Sequence, residues 1–170
     1  MQGKFQFAQR YVDSVQERPR WRTTLTERIS PKFQIGVEYN ANAPDAKLNP
    51  VGNYFIQTEN ESRPGIIAGF SSDRIGTPHG MSYFVSAQKQ LSGEKGRVAP
   101  YLGLSYSEFG KEVLTPFGAS LALKDNLVLL PMCDGKYGHT TLSWFSKRGE
   151  SISLIAAFNK RIGIAFARNF

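Results

Sequence analysis

Two histidines are the residues of this chain best suited to acid–base or nucleophilic chemistry. His139 and Ser143 are four positions apart, so on a strand they would share a face but lie ~13 Å from each other at ~3.3 Å per residue. That separation is too long for the hydrogen bond that joins a nucleophile to its base. Thr141 is nearer, but threonine is rarely a nucleophile away from an N-terminus. The sequence therefore assigns no catalytic residues on this segment.

The second histidine, His79, belongs to the loop-like segment 77–80, beside Ser82 and within reach of Asp73. A polar loop residue is the simpler interpretation. The sequence has no glycine-rich phosphate loop and no His-x-x-x-His metal spacing. Its single cysteine, Cys133, excludes a disulfide framework and a cysteine-based zinc site. We expect no metal and no cofactor.

The elements that would position these residues are strands, because large apolar residues recur at every second position. The opposite positions are small or polar, which is typical of antiparallel strands whose two faces meet different environments. The pattern is clearest in the segments 33–40, 81–88, 98–106, 117–124, 151–158 and 162–167.

Turn-forming residues divide the chain into about twelve strands, with a range of ten to twelve. The predicted spans are 4–16, 19–29, 32–41, 52–60, 64–72, 79–91, 96–108, 112–124, 126–132, 136–147, 150–158 and 161–169. Longer connections are expected at 41–51 and 71–80, and nothing divides the chain, so residues 1–170 form one domain. Pro100, Pro116 and Pro131 predict strand starts or bulges; otherwise the strand count is too high.

The length of the chain favours a particular kind of barrel. Twelve strands of ~9–11 residues, each long enough to cross a bilayer, need ~110–130 residues, and eleven short turns need ~33 more. This approaches the 170 residues present. Over residues 96–170 the non-bulky face carries few charges, unlike a water-facing exterior. We predict an all-β fold: a closed, antiparallel, up-and-down transmembrane β-barrel with short hairpin loops.

The end of the chain places Ile162, Ile164 and Phe166 at alternate positions and finishes at Phe170. This pattern resembles the last strand of bacterial outer-membrane β-barrel proteins, where it is the signal read by the assembly machinery. The chain departs from the family at Arg168, where an apolar residue is expected. The resemblance implies an outer-membrane location and, as partners, the bilayer or detergent, the assembly machinery and other envelope proteins. The absent signal peptide then indicates a mature sequence.

The inner face of such a barrel would be basic in its first strands. Arg10, Arg20, Arg22, Gln34 and Glu38 lie opposite the bulky residues and are the predicted lumen-lining residues. A wet channel lined by arginine would favour anionic solutes. Alternatively, the arginines pair with Glu38 and plug the barrel. The formal net charge of +7 is scattered rather than clustered, so we expect no nucleic-acid partner.

The predicted function is a narrow passive pore or a membrane scaffold, because short loops are not typical of receptors. Two alternatives stay open. One is a soluble β-barrel that turns its bulky face inward around an apolar small molecule. The other is a lipid-modifying outer-membrane enzyme.

Overall fold

The structure, a computed structural model, describes residues 4–13, 21–43, 47–91 and 97–170. Every regular element in these ranges is a strand, and none of their residues forms a helix long and apolar enough to cross a membrane. The bounds are β1 Phe5–Val12, β2 Trp21–Ser30, β3 Phe33–Asn40, β4 Leu48–Gln57, β5 Gly65–Ser72, β6 Met81–Gln88, β7 Val98–Ser107, β8 Glu112–Leu114, β9 Phe117–Lys124, β10 Leu127–Cys133, β11 Gly138–Phe145, β12 Glu150–Ala157 and β13 Arg161–Asn169.

Twelve of these strands form a closed antiparallel ring. Neighbours in the chain pair with each other, β7 pairs with β9, and β13 returns to pair with β1. At this seam the Phe5 amide donates to the Phe170 carbonyl at 2.8 Å, and the Phe170 amide donates back at 2.9 Å. The predicted up-and-down barrel of twelve strands is confirmed. We call the end with Phe5 and Phe170 the terminal end, and the opposite end the loop end.

The strand β8 lies outside the ring and pairs, among the described strands, with β7. Its register, with Leu114 opposite Ser105, continues that of β9, with Phe117 opposite Leu102. Pro116 separates the two strands, and its carbonyl accepts a hydrogen bond from the Gly103 amide at 2.8 Å. Proline has no amide hydrogen to donate to a ladder. The predicted strand 112–124 is therefore one arm that breaks at Pro116.

The other two prolines lie inside strands rather than at their starts. Pro131 is opposite Thr140 on β11, while the ladder from β10 to β9 is interrupted around it. Gly118 of β9 makes room there, because a Cβ at that position would lie 2.6 Å from the Pro131 carbonyl oxygen. Pro100 stays within β7, opposite Ala119. The barrel thus accepts prolines without losing a strand.

One predicted strand was misplaced along the chain. The sequence indicated a strand at 52–60 after a connection of 41–51, whereas β4 is Leu48–Gln57. Asn49 and Pro50 were interpreted as turn residues, but they belong to the ladder, opposite Glu38 and Val37 of β3. Asn49 is buried and Pro50 is exposed, so both obey the alternation of the strand.

The barrel is polar inside and apolar outside. In β3, Val37 is 45% exposed while its neighbour Glu38 is 0% exposed. The same outward exposure is found on every side of the ring, as at Leu25, Tyr54, Val85, Leu104, Leu154 and Ile164. Soluble proteins have the opposite distribution. The bulky face therefore does not point inward, as the alternative of a soluble barrel around an apolar small molecule expected.

Candidate functional site in the barrel interior

The interior holds a group of charged and amide side chains, Arg10, Arg22, Glu38 and Asn40, which we call the central cluster. Arg10 is opposite Arg22 in the ladder between β1 and β2, and Arg22 is opposite Asn40 in the ladder between β2 and β3. The Arg22 guanidinium forms an ion pair with the Glu38 carboxylate. The Asn40 amide donates to Glu38 Oε1 at 3.3 Å. Both oxygens of this buried carboxylate are therefore engaged.

Arg10 differs from Arg22 because it has no such partner. The Nε atoms of both arginines are shielded from solvent and have no hydrogen-bond acceptor, but in the part of the chain that the structure describes an ion pair is found for Arg22 and not for Arg10. The central cluster thus contains two guanidinium groups and one carboxylate. Buried charges are normally paired, so the surplus positive charge is an unusual feature of this interior.

Two cavities meet at the central cluster. The terminal cavity has a volume of about 320 Å³ and is lined by residues of β12, β13, β1, β2, β3 and β4, with Thr26, Gln34 and Ser153 in its wall. The lid cavity, about 370 Å³, lies towards the loop end and includes His139 in its wall. Arg10 and Arg22 line both cavities. A solute passing from one cavity to the other would meet these two guanidinium groups.

The loop end is covered by residues 73–80, the connection between β5 and β6, which we call the lid loop. These two strands lie halfway round the ring from β12 and β13. Ile75 of the lid loop nevertheless packs against a buried cluster of Val12, Ile155 and Ala157 on that far side. Gly76, with φ +92°, passes so near the Phe158 ring that a Cβ would lie 2.9 Å from its Cζ. The lid loop therefore crosses the mouth of the barrel.

Hydrogen bonds anchor the base of the lid loop. The Asp73 carboxylate accepts from the Ser107 hydroxyl at 2.6 Å and from the Phe109 amide at 3.2 Å. It also accepts from the Arg74 amide at 2.8 Å, and the Thr77 hydroxyl donates to the Arg74 carbonyl at 2.9 Å. Asp73 and Thr77 are buried. These hydrogen bonds and buried side chains therefore anchor the lid loop to the barrel.

His139 is held at both ring nitrogens. The Phe158 amide donates to Nδ1 at 3.2 Å, so Nε2 carries the hydrogen and donates to Asp134 Oδ2 at 3.1 Å. No ring nitrogen is left to accept a proton from a nucleophile. Ser143, the partner considered from the sequence, instead lies 2.8 Å from the Ser153 hydroxyl. His139 thus ties the turn before β11 to the turn after β12.

This contact also affects the acidity of Asp134. Burial raises the pKa of its carboxyl group, but the hydrogen bond from His139 and the amides of Tyr137 and Lys136 outweigh burial and hold the pKa below its usual value. The ionised carboxylate is therefore the form that fits this turn.

The other histidine is not brought to a nucleophile either. The His79 ring packs edge-on against Phe109, with 5.1 Å between ring centroids. The carboxylate of Asp73 is bound to Ser107 and to backbone amides. Within the described ranges, no three His, Cys, Asp or Glu side chains come close enough together to hold a metal ion. These residues therefore lend no support to the enzyme alternative.

No protein-family model matches the chain, and no curated protein is similar to it in sequence. The functional interpretation therefore depends on the residues and their geometry.

The predicted site residues divide into three groups. Arg10, Arg22 and Gln34 line the terminal cavity, and Glu38 binds Arg22 beside it. Arg20 lies outside the described residues. The residues of the proposed assembly signal, Ile162, Ile164, Phe166 and Phe170, are exposed on the outer face or at the terminal end.

Sequence reasoning missed the lid loop and the inward position of Phe158. The alternation over the segment 151–158 predicted that Phe158 lies on the outer face with the other bulky residues, but its ring packs on His139 and Tyr137 at centroid distances of 5.2 and 5.1 Å. Phe158 has φ +54°, so the turn interrupts the alternation of the strand. An available signal was Ile75, a large apolar residue in an otherwise polar connection.

Proposed function

We propose that the chain is an integral outer-membrane β-barrel that acts as a narrow passive pore, with the lid loop closing one mouth in this conformation. The observation that carries the proposal is the inverted distribution of polarity: charged side chains inside, large apolar side chains outside. Exposed apolar surface costs ~25 cal/mol per Å² in water, and this cost disappears when lipid covers the outer face.

The few charges on the outer face support the same orientation. Glu27 forms an ion pair with Lys4 at 2.9 Å, and Arg168 is the ladder neighbour of Glu150. All four residues lie near the terminal end, where their charged side chains would contact lipid headgroups and water. Arg168, the departure from the outer-membrane pattern, would therefore sit at the interface rather than in hydrocarbon.

The choice of a pore over a scaffold follows from the cavities. A barrel of this size can fill its interior with side chains, and a scaffold needs no more than that. Here two cavities of about 320 and 370 Å³, whose walls mix polar and apolar side chains, meet at the central cluster. In the part of the chain that the structure describes, the lid loop covers them at the loop end.

A scaffold is the second candidate, and the anchoring of the lid loop favours it. If Asp73 and Ile75 never release their partners, the lumen stays closed and the barrel would serve to hold other envelope proteins.

Two measurements test the proposal. Native membranes should release the chain only into detergent, with a heat-modifiable mobility on a gel; release into plain buffer would overturn the membrane location. The purified barrel in a planar bilayer should then give small, discrete conductance steps. A barrel that inserts but stays silent, with the lid loop intact and after its removal, would exclude the pore and leave the scaffold.

A further inference from the structure

We propose that Arg10 and Arg22 form a binding site for a small oxyanion, of the phosphate or carboxylate class, where the two cavities meet. The proposal rests on the proposed function only in that solutes must reach the interior of the barrel. It assigns the chemistry of the central cluster, which the pore alone does not require.

Charge is the first argument. Arg10 and Arg22 are direct ladder neighbours on the inner face, and like charges placed directly opposite each other destabilise a sheet. Glu38 forms its ion pair with Arg22, accepts a hydrogen bond from Asn40 and also attracts Arg10 electrostatically, so one carboxylate serves two guanidinium groups. Arg10 is left without an ion-pair partner of its own among the described residues. A bound anion would supply the missing negative charge.

Donor geometry is the second argument. A guanidinium group presents five N–H donors in a planar fork that matches the oxygens of a carboxylate or phosphate. Two such groups on neighbouring strands, with Cβ atoms ~5 Å apart, can hold one oxyanion between them. A chloride ion would use fewer of these donors, so an oxyanion is the better match.

The cavity walls are the third argument. None of the described residues that line the terminal cavity is acidic. Apart from Arg10 and Arg22, its polar residues are uncharged: Gln6, Gln9, Thr24, Thr26, Gln34, Asn53, Ser151 and Ser153. In the lid cavity the two acidic residues, Asp73 and Asp134, are already engaged by Ser107 and His139. Among the described residues that line it, the terminal cavity therefore presents no competing carboxylate on the approach to Arg10.

Cavity size restricts the ligand. At ~30 Å³ per water molecule, each cavity has room for about ten waters, which accommodates a small oxyanion with part of its hydration shell. Polymers such as nucleic acid are too large for this space. The site thus fits inorganic phosphate or a short carboxylate.

The first test uses the barrel in detergent micelles, with inorganic phosphate as the probe. Phosphate should raise the unfolding temperature, and titration calorimetry should detect binding. Arg10→Gln, which leaves the Arg22–Glu38 pair intact, should weaken binding by about tenfold or more. Arg148→Gln removes an equal charge from an exposed turn and should leave binding unchanged. Arg10→Lys, which keeps the charge but loses the fork, should bind phosphate more weakly than the parent chain.

The outcomes separate the site from the pore. No phosphate effect on the parent chain, or equal loss in Arg10→Gln and Arg148→Gln, would overturn the site. If Arg10→Gln fails to fold, undiminished binding by Arg10→Lys would overturn it. In a planar bilayer with a KCl gradient, the reversal potential should show that the barrel prefers anions to cations. Arg10→Gln should reduce this preference. If the protein binds phosphate but does not conduct, the pore is refuted and the oxyanion site is supported. If it conducts but does not bind phosphate, the pore is supported and the oxyanion site is refuted.

Discussion

Arg10 and Arg22 face each other across the ladder between β1 and β2, and only Arg22 is paired with a carboxylate. In a water-facing position this imbalance would be unremarkable. Inside a barrel it means that the fold tolerates, beside two cavities, a guanidinium group with no ion-pair partner among the described residues. Such an arrangement suits a lumen that solutes enter better than a sealed core, because water or an anion must solvate the second arginine.

Glu38 should be the acidic residue on which the stability of the interior depends most. Glu38→Gln keeps the shape of the side chain but leaves Arg22 and Arg10 together without a carboxylate. Removing one partner of a buried ion pair typically costs about 3–5 kcal/mol. Denaturant unfolding in detergent should show a loss of this order. Glu61→Gln, in an exposed loop, is the matched control, and equal stability of the two variants would contradict the assigned role.

Asp134 should make stability depend on pH at the acidic end. Its folded-state pKa lies below the usual value of 3.8, so the folded state favours the carboxylate. The contribution is fully present above the unfolded pKa and is lost as pH falls through the folded pKa, that is, below pH 3.8. The free energy of unfolding of the parent chain minus that of Asp134→Asn should therefore shrink on acidification. A difference that grows or stays constant as pH falls would refute this.

The lid loop should control conductance through Ile75. Ile75→Ala removes the contact with Val12, Ile155 and Ala157. Because Ile75 is only partly buried, we expect its truncation to cost less than the ~2–5 kcal/mol of a fully buried isoleucine. Because the lost contact holds the loop across the mouth, we expect longer or more frequent open states in a planar bilayer. Ile56→Ala, on the outer face, should leave gating unchanged. Identical single-channel recordings from Ile75→Ala and Ile56→Ala would show that the lid loop does not act as a gate.

The alternation of large apolar residues was enough to predict the twelve-strand ring, because a period of two determines which face each side chain occupies. It failed where local chemistry breaks that period. Pro50 signalled a turn although it lies on an exposed strand position, and the left-handed turn at Phe158 redirected its ring inward. The path of the lid loop depends on long-range packing of Ile75, which no local pattern specifies. Likewise, the sequence could not predict that Arg22 rather than Arg10 pairs with Glu38, because this depends on the register between the strands.

Phe170 should affect assembly more than folding. Its backbone bonds to Phe5 close the seam, and the two rings stack at 6.1 Å. Phe170→Leu keeps the backbone bonds and an apolar side chain but removes the aromatic ring. We expect folding into detergent to be nearly unchanged and assembly into membranes by the bacterial machinery to fall. The conservative outer-face variant Phe117→Leu is the control. If folding into detergent and assembly into membranes fell equally, Phe170 would act only by closing the seam between β1 and β13, which would contradict its role in assembly.

Tryptophan fluorescence in bilayers of brominated lipid is the measurement that most directly tests whether the outer face meets lipid. Trp21 and Trp144 are both exposed on the outer face, Trp21 near the loop end and Trp144 near the terminal end. Trp21→Phe and Trp144→Phe each leave one probe. Both probes should be quenched, and more strongly by bromines close to the headgroups than by bromines deep in the acyl chains. Unquenched emission from both, with the protein left in the aqueous phase, would contradict a membrane-spanning barrel.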